Sequence, residues 1–357
     1  RKKLEDQREK SIRKAKEEAK RIVENAKRES ETMIAELRAM KKAGGAQEHE
    51  IQKVKKQMEK AQDELADKKE VGGEIPKSVK AGDMVHIASM DVDALRAGAH
   101  VFLDKPMACS LSEAREIVDR ARACNRKLMV YQPHRATAET VAARQVLESG
   151  LLGRVYMIRR ASNGYNRRAD WQAFEKNGGG MLSNYGAHYI DQLLYLTGGA
   201  PEEVRCWRMR EVSLGDADDV VKVIIRTANG PLLDVDISQA AALSAEPWLL
   251  LGTLGAAKLE KTDEGVRFLV RYLKPDELPP LEEDGCLLAK GRRYDQDGTL
   301  LWRSESFPVR PDMAVDFYDR CRAYFIEGGA PFVPVEETLR VMEILEECRT
   351  GAPVRRV

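Results

Sequence analysis

The stretch HVFLDKPMACSLSEAREIVDRARACNRKLMVYQ, residues 100–132, decides the fold of this chain. It opens with a short apolar run, typical of a buried strand, that ends in Asp104-Lys105-Pro106. Its middle predicts an amphipathic helix with Ser112 as the N-cap. The apolar face of that helix comprises Ala114, Ile117, Val118 and Ala121. A second strand follows, and strand–helix–strand units of this length are typical of a parallel α/β sheet.

A group of strand-like runs follows later in the chain. Four of them are rich in β-branched and apolar residues and are separated by glycine-containing turns. They are RVYMIRRAS, DVVKVIIRT, LLDVDISQA and WLLLGTLGAAKLE, at residues 154–162, 219–227, 232–240 and 248–260. Because these runs are grouped rather than alternating with helices, they predict a separate α+β domain with an open, mixed and mainly antiparallel sheet.

Residues 1–70 form a charged segment of a different kind. They carry 21 basic and 16 acidic side chains, whereas the remaining 287 residues carry 38 basic and 42 acidic ones. Apolar residues recur every seven positions over residues 12–40 and alternate in steps of three and four over residues 51–65. With Gly44-Gly45 between these two runs, the pattern predicts an antiparallel coiled-coil hairpin.

Composition excludes several classes of protein. No apolar run approaches the roughly 18 residues that a membrane-spanning helix requires, and the basic N-terminus has no apolar core of a secretory signal. The six cysteines are scattered, without a Cys-x-x-Cys pair or a histidine at metal-ligand spacing. This favours reduced thiols in a cytoplasmic protein over a disulfide framework or a metal site. A net charge of +1 gives no reason to expect nucleic-acid binding by the whole chain.

Residues 1–90 resemble the stalk of the bacterial MutS-type-two proteins. The helical part, KEEAKRIVENAKRESETMIAELR at residues 16–38, is similar to the Glu/Ala/Lys-rich stalk helix of that family. The segment IPKSVKAGDMVHIASM at residues 75–90 resembles the opening of its small β-module. The chain contains no GxxxxGK[ST] sequence. The resemblance therefore implies a spacer or partner-binding segment without an ATPase centre.

Residues 91–357 resemble the Gfo/Idh/MocA family of NAD(P)-dependent oxidoreductases. Three features carry this resemblance: ALRAGAHVFLDKPMACSLSEARE at residues 94–116, GGGMLSNYGAHYIDQLLYLTG at residues 178–198, and the pair PWLLLGTLGAAKLE and PFVPVEETLRVMEILEECR near the end. The first contains the acidic-Lys-Pro signature of the family, with Asp104 where glutamate is usual. The resemblance implies hydride transfer between NAD or NADP and a hydroxyl of a sugar or polyol.

Lys105, His188 and Asn184 are the candidate catalytic residues. Lys105 follows a strand at its C-terminal end, where open α/β sheets place their ligands, and the resemblance assigns the catalytic base to His188. A helix starting near Ser183 would place Asn184, His188 and Asp191 on one face, at i, i+4 and i+7. Asn184 stands where the family has aspartate, and an amide can hold a hydroxyl but cannot accept its proton. We therefore expect Asn184 to position the substrate.

Other candidates are secondary. The resemblance implies cofactor contacts for Asp104, Lys105 and Pro106, and we expect substrate contacts from Arg135, Trp171, Tyr185 and Asp191. Tyr131 is a further candidate, and a surface ion pair or a core aromatic is an equal interpretation for several of these residues. The glycine run at residues 178–180 predicts a place where substrate or cofactor approaches the backbone closely.

The phosphate-binding part of a dinucleotide domain is missing from the sequence. Such a domain opens with a strand, a GxGxxG turn and a helix, and no GxGxxG occurs in the chain. The run DMVHIASM at residues 83–90 fits a strand of this sheet, either original or belonging to the preceding segment. We therefore expect impaired activity and no NADH binding by the isolated chain.

The predicted organisation has four parts. Residues 1–70 form the hairpin, 71–90 a linker with a short β segment, 91–135 a truncated Rossmann-like remnant, and 136–357 the substrate and oligomerisation domain. Three hypotheses for function stay open: an impaired sugar or polyol oxidoreductase, a non-enzymatic coiled-coil scaffold, and a DNA-associated fragment. By resemblance we also expect a homo-oligomer formed through the C-terminal sheet.

Overall fold

The computed structural model of this chain describes residues 91–280 and 300–355. These residues belong to one compact unit, which runs from Met84 to Val357. The predicted hairpin at residues 1–70 and the linker at residues 71–90 lie outside the described residues. Among the helices that the structure describes, none is long and apolar enough to cross a membrane.

The strand–helix–strand unit has the predicted parallel arrangement. Helix α1 (Asp91–Arg96) leads into β1 (Val101–Leu103), helix α2 (Leu111–Ala123) and β2 (Leu128–Val130). The two strands run parallel, with Cα partners that extend from Val101 opposite Leu128 to Leu103 opposite Val130. The helix makes the crossover that two parallel neighbours require.

Helix α2 begins two residues earlier than predicted. Ser110, and not Ser112, is the N-cap: its hydroxyl accepts from the Glu113 N–H, and the Glu113 carboxylate accepts from the Ser110 N–H. This reciprocal pair requires a glutamate or glutamine three residues after the cap. Ser112 cannot form it, because the residue three positions later is Arg115. The predicted apolar face is buried, through Ala114, Ile117, Val118 and Ala121.

An eight-stranded sheet dominates the rest of the described chain. Its strands are ordered β10-β9-β8-β7-β3-β6-β5-β4. Only the β3–β6 pair is parallel, which confirms the predicted open, mainly antiparallel sheet. The strand bounds are β3 Val155–Asn163, β4 Pro201–Met209, β5 Val220–Thr227, β6 Leu232–Ser238, β7 Trp248–Gly252, β8 Gly255–Thr262, β9 Gly265–Tyr272 and β10 Arg303–Pro308.

Helices cover one face of this sheet. Helix α3 packs on β9 and β10, α4 on β3 and β6, and α6 on β4. A further helix, α5, packs near the β1–β2 pair, where Phe317 joins a small apolar cluster with Met129. The helix bounds are α3 Ala138–Glu148, α4 Ala187–Thr197, α5 Phe317–Phe325 and α6 Val335–Gly351.

Trp248 is the largest fully buried side chain between the sheet and the helices. Its ring lies 6.2 Å from that of Phe268, edge to face, and its indole N–H donates to the Glu139 carboxylate of α3 at 3.0 Å. The Arg160 guanidinium lies over the same ring, 4.8 Å from its centre. This residue therefore joins three elements of the core.

Replacing Trp248 with alanine should lower the free energy of unfolding by about 3–5 kcal/mol, because a large aromatic leaves a cavity in a packed core. Trp207→Ala is the matched control, since Trp207 lies on β4 with half of its side chain exposed. Urea unfolding of both variants measures the difference. Equal losses in the two variants would contradict this assignment of the core.

Candidate functional site

Lys105 lies directly beyond the C-terminal end of β1. The preceding Asp104 is exposed, and its Oδ1 accepts a hydrogen bond from the Lys105 N–H at 2.8 Å. The Lys105 side chain is half-buried. Burial lowers its pKa below the usual lysine value, and the nearby Asp104 carboxylate opposes that shift only in part. An ammonium in this position loses its proton more readily than a solvated one.

Asn184 meets Lys105 across 79 residues of chain. The Lys105 Nζ donates to the Asn184 backbone carbonyl at 3.0 Å and to its Oδ1 at 3.1 Å. The Asn184 Nδ2 donates in turn to the Oε1 of Gln172 at 3.1 Å. The amide is therefore oriented with its oxygen toward the ammonium. Asn184 is therefore adjacent to Lys105, and its second partner, Gln172, was not predicted.

The helix around His188 starts differently from the prediction. Residues Leu182–Gly186 form a π-turn, in which the Ala187 N–H donates to the carbonyl five residues earlier, and α4 begins at Ala187. A π-turn contains more residues per turn than an α-helix. The regular α-helical spacing that would place Asn184, His188 and Asp191 on one face is therefore interrupted between Asn184 and His188. The three expected neighbours contact different groups: Asn184 contacts Lys105, whereas His188 and Asp191 contact residues after β2.

The glycine run at residues 178–180 packs against the chain itself. A Cβ on Gly179 would lie 2.3 Å from the Gln172 carbonyl oxygen. Gly180 has a φ of +98°, and a Cβ there would lie 2.8 Å from an Asp218 carboxylate oxygen. Protein atoms therefore occupy the side-chain positions of these two glycines, and the close approach of a substrate or cofactor to this run stays a prediction.

His188 is buried and stacks on a second histidine. The rings of His134 and His188 lie 4.1 Å apart at 11° to each other. Burial, reinforced by the nearby Lys105 charge, lowers the pKa of His134 to about 4 and that of His188 to about 2. Both imidazoles are therefore neutral near pH 7. Within the described residues the Nδ1 atom of His188 has no hydrogen-bond partner.

His134 was missed by the sequence analysis. It lies in a short 3₁₀ turn, Pro133–Ala136, directly after β2. Its backbone carbonyl accepts hydrogen bonds from the side chains of Gln192, Thr137 and Thr140. The signal was available, because β2 is parallel to β1 and its C-terminal end lies at the same edge of the sheet as Lys105.

Arg135 and Asp191 are paired with each other. The Arg135 Nε and Nη2 donate to the two Asp191 oxygens at 2.7 and 2.5 Å, and its Nη1 donates to Glu337 of α6 at 2.5 Å. The side chains of Arg135 and Asp191 are 2% and 0% exposed. Arg135 and Asp191, which were predicted to contact the substrate, therefore also have a structural role. The alternative of a surface ion pair is wrong, because this pair is buried.

The aromatic candidates separate into two groups. Trp171 and Tyr185 are 59% and 37% exposed, so their side chains are accessible to a substrate, and Trp171 directly precedes Gln172. Tyr131 instead packs edge-on against Phe317, with ring centres 4.8 Å apart. This places Tyr131 among core aromatics. No cluster of His, Cys, Asp or Glu that could hold a metal ion occurs within residues 91–280 and 300–355.

Solved structures with the same fold are oxidoreductases and NAD-binding proteins. An NAD-binding protein from Listeria innocua superposes with a TM-score of 0.61 at 21% identity, covering 73% of this chain and 75% of that one. The WlbA dehydrogenase from Bordetella pertussis, in complex with NADH and UDP-GlcNAcA, superposes with a TM-score of 0.52 at 19% identity, covering 73% and 72%. The described part of the chain therefore shares the fold of these proteins.

Sequence comparison identifies the family. The model described as "Oxidoreductase family, NAD-binding Rossmann fold" matches residues 85–132, and the model of the GFO/IDH/MocA C-terminal domain matches residues 140–258. The uncharacterized oxidoreductase YdgJ of Escherichia coli K12 is 31% identical over 71% of this chain and 72% of its own length. The chain belongs to the GFO/IDH/MocA family of oxidoreductases.

Other relatives match over a shorter part of their length. An uncharacterized oxidoreductase of Schizosaccharomyces pombe, C26H5.09c, is 29% identical over 37% of each chain. The D-glucoside 3-dehydrogenase of Escherichia coli K12 is 33% identical over 29% of this chain and 31% of its own. The chain therefore spans less than half of these two relatives.

The family match also bears on the segment before the described residues. The NAD-binding match starts at residue 85, inside DMVHIASM, so residues 85–90 fall within the family match. Nothing in these comparisons supports the resemblance of residues 1–90 to a MutS-type-two stalk.

Acidification should destabilise the protein through the two buried imidazoles. His134 has a pKa of 6.5 in the unfolded chain and about 4 in the native state. Between these two pH values only the unfolded chain binds the proton, so the free energy of unfolding falls as the pH falls from 6.5 to 4. In His134→Phe, which retains an aromatic ring, the loss of unfolding free energy between pH 7 and pH 5 should shrink by roughly 1–2 kcal/mol. Urea unfolding measures it, with Tyr185→Phe as the control. An unchanged pH dependence would contradict the lowered pKa of His134.

Asn184→Asp should make Lys105 less reactive toward amine reagents. A carboxylate in place of the amide oxygen, 3.1 Å from the Nζ, favours the protonated lysine and raises its pKa. Mass spectrometry after brief acetylation at mildly alkaline pH should show slower labelling of Lys105 in the variant. Lys258, on the sheet, is the internal control. Equal or faster labelling of Lys105 in Asn184→Asp would show that the amide does not control this ammonium.

Proposed function

We propose that the chain carries the site for hydride transfer between NAD or NADP and a hydroxyl of a sugar or polyol. The single observation that supports this most is the convergence of Lys105 and a buried neutral His188. They come from the end of β1 and the start of α4, and the Lys105 charge is close enough to lower the pKa of His188.

His188 would act as the proton acceptor. Its ring is neutral near pH 7, so its unprotonated nitrogen can accept a proton from a substrate hydroxyl. The low pKa of His188 means that the proton is held weakly. The neighbouring Lys105 ammonium would stabilise the developing alkoxide by donating a hydrogen bond to the same oxygen.

Asn184 and Gln172 would position Lys105. The Gln172 Oε1 accepts from the Asn184 Nδ2, which leaves the Asn184 oxygen facing the Lys105 Nζ. Asn184 cannot take a proton, so proton transfer in this site would depend on His188. Trp171 and Tyr185, both accessible, would contact the substrate, while Arg135 and Asp191 would support the site through their buried pair.

The residues present fit one end of a nicotinamide dinucleotide. Asp104, Lys105 and Pro106 follow a parallel strand at its C-terminal end, where such cofactors bind. When bound, the nicotinamide accepts or donates the hydride. His188 and the Lys105 Nζ are the groups that would act on the substrate hydroxyl. Because no GxGxxG occurs in the sequence, the expected absence of NADH binding becomes the proposal that the 357-residue chain alone binds the cofactor weakly at most, with no binding at micromolar NADH.

The choice of a sugar or polyol draws on the relatives. One of them is a D-glucoside 3-dehydrogenase, and a levoglucosan dehydrogenase of Pseudarthrobacter phenanthrenivorans is 27% identical over 43% of this chain and 47% of its own. The names of both relatives describe the oxidation of a carbohydrate. The alternatives, a scaffold or a DNA-associated fragment, depend on residues 1–90, which the structure does not describe.

We also propose a homo-oligomer formed through the sheet face opposite the helices. A row of residues crosses this face from β5 to β9: Ile224, Asp234, Arg159, Leu249, Lys258 and Leu269. Most of them are partly exposed, in alternation with the fully buried residues that face the helices. The proposal is supported by this mixture of apolar and charged groups, which suits a self-complementary interface.

Replacement of the two catalytic candidates should abolish a slow basal activity. At millimolar NAD⁺ or NADP⁺, with a panel of pyranosides and polyols, we expect wild-type turnover to exceed that of Lys105→Met and of His188→Asn by about 100-fold or more. NADH absorbance measures the rate, and Lys274→Met, at an exposed lysine after β9, is the matched control. Saturation with NADH at micromolar concentration would contradict weak cofactor binding, and no turnover with any substrate would contradict the catalytic proposal.

A further inference from the structure

A polar cavity lies between two loops of the large sheet. One loop follows β3 and the other follows β4. The cavity between them measures about 760 Å³. Its lining residues are Tyr165, Arg167, Arg168, Ala169, Arg210, Glu211, Val212, Ser213 and Leu214, and we call it the arginine groove.

Backbone hydrogen bonds hold the two loops together. The Asp219 carboxylate accepts from three successive N–H groups, those of residues 211–213, at 2.7–2.9 Å. The Leu214 N–H donates to the Arg168 carbonyl at 2.8 Å, and the Arg168 N–H donates to the Ser213 hydroxyl at 3.3 Å. Because both loops are fixed to each other, the groove is preformed.

Positive charge predominates in the arginine groove. Its lining contains three guanidinium groups and one carboxylate, that of Glu211. Arg168 pairs with Asp170 at 3.1 Å. Arg167 and Arg210 instead donate to backbone carbonyls, those of Val212 and Gly215, and neither pairs with a carboxylate of the described residues. Guanidinium groups left with open donors favour phosphate or carboxylate ligands.

A chain of contacts leads from this groove to the catalytic candidates. The Asp170 carboxylate that pairs with Arg168 also accepts from the Gln172 N–H at 2.9 Å. The Gln172 side chain then meets Asn184, which holds Lys105. Arg168 and Gln172 are four residues apart, so at most about 14 Å of extended backbone separates them. Residues 168–172 therefore link the arginine groove to the residues that hold Lys105.

We propose that the arginine groove binds an anionic substituent of the substrate, so that the site selects sugars carrying a phosphate or a carboxylate over neutral sugars. The assignment of this substituent to a substrate rests on the proposed function. Arg167 and Arg210 would make charge-assisted hydrogen bonds to the anion, while the sugar ring extends past the exposed Trp171 toward Lys105 and His188.

Calorimetric titration without cofactor tests this assignment in the full chain. The probes are glucose 6-phosphate, glucuronate, inorganic phosphate and glucose. We expect the wild type to bind glucose 6-phosphate or glucuronate at least tenfold more tightly than glucose. The double variant Arg167→Gln with Arg210→Gln should lose at least tenfold in affinity for the same anion. Which anionic sugar binds more tightly distinguishes a phosphate from a carboxylate.

Two further variants control for charge and folding. Arg205→Gln removes an exposed arginine from β4, where it pairs with Glu203, and should leave binding unchanged. Arg167→Lys with Arg210→Lys retains the charge and should retain more affinity than the glutamine pair, even if both pairs lower the thermal stability. Binding of anionic sugars that is unaffected by the glutamine pair, or equal affinity for glucose and the anionic sugars, would overturn the proposal.

The readout separates this inference from the proposed function. Anion binding that depends on Arg167 and Arg210, with no turnover in the presence of NAD⁺ or NADP⁺, would support the groove and contradict hydride transfer. Turnover of anionic sugars that the glutamine pair leaves unchanged would do the opposite. Inorganic phosphate that binds as tightly as glucose 6-phosphate would show that the sugar contributes nothing, and would contradict the substrate assignment.

Discussion

The buried pair between Arg135 and Asp191 is the interaction on which the site depends. Arg135 follows β2 in the strand–helix–strand unit, Asp191 belongs to α4, and Glu337 of α6 completes the contact. Removing one partner of a buried pair costs about 3–5 kcal/mol, because the other charge is left without compensation. The pair therefore fixes the end of the parallel unit against the helices that cover the large sheet.

That attachment brings two kinds of catalytic group together. Lys105 leaves β1 at the same edge at which His134 leaves β2, and the His188 ring of α4 stacks on His134 at 4.1 Å. Burial of these groups disfavours their charged forms, so the pKa values of Lys105, His134 and His188 are all lowered. A neutral imidazole next to a lysine that loses its proton readily suits proton transfer with an alcohol.

Local patterns predicted much of the fold because they depend on neighbouring residues. The apolar and β-branched runs at β3, β5, β6 and β7 led to the correct sheet class, and the apolar face of α2 led to the correct parallel unit. The edge strand β4, PEEVRCWRM, was not predicted, because the charged side chains Glu202, Glu203 and Arg205 are solvated and weaken its apolar alternation. The cap of α2 was misplaced by two residues, although the decisive glutamate, Glu113, was present in the sequence.

The sequence by itself determined the family, through the signature around Lys105 and the segment around His188, because motifs keep their spacing in the chain. Only the tertiary structure decided which groups meet. The residues of the Lys105–Asn184 contact are 79 positions apart in the sequence, and those of the Arg135–Asp191 pair are 56 positions apart. Residues so far apart in the sequence give no local signal that they are close in space. The packing of Gly179 and Gly180 against protein atoms, the stack with His134 and the π-turn before α4 likewise result from long-range packing, which overrides local spacing.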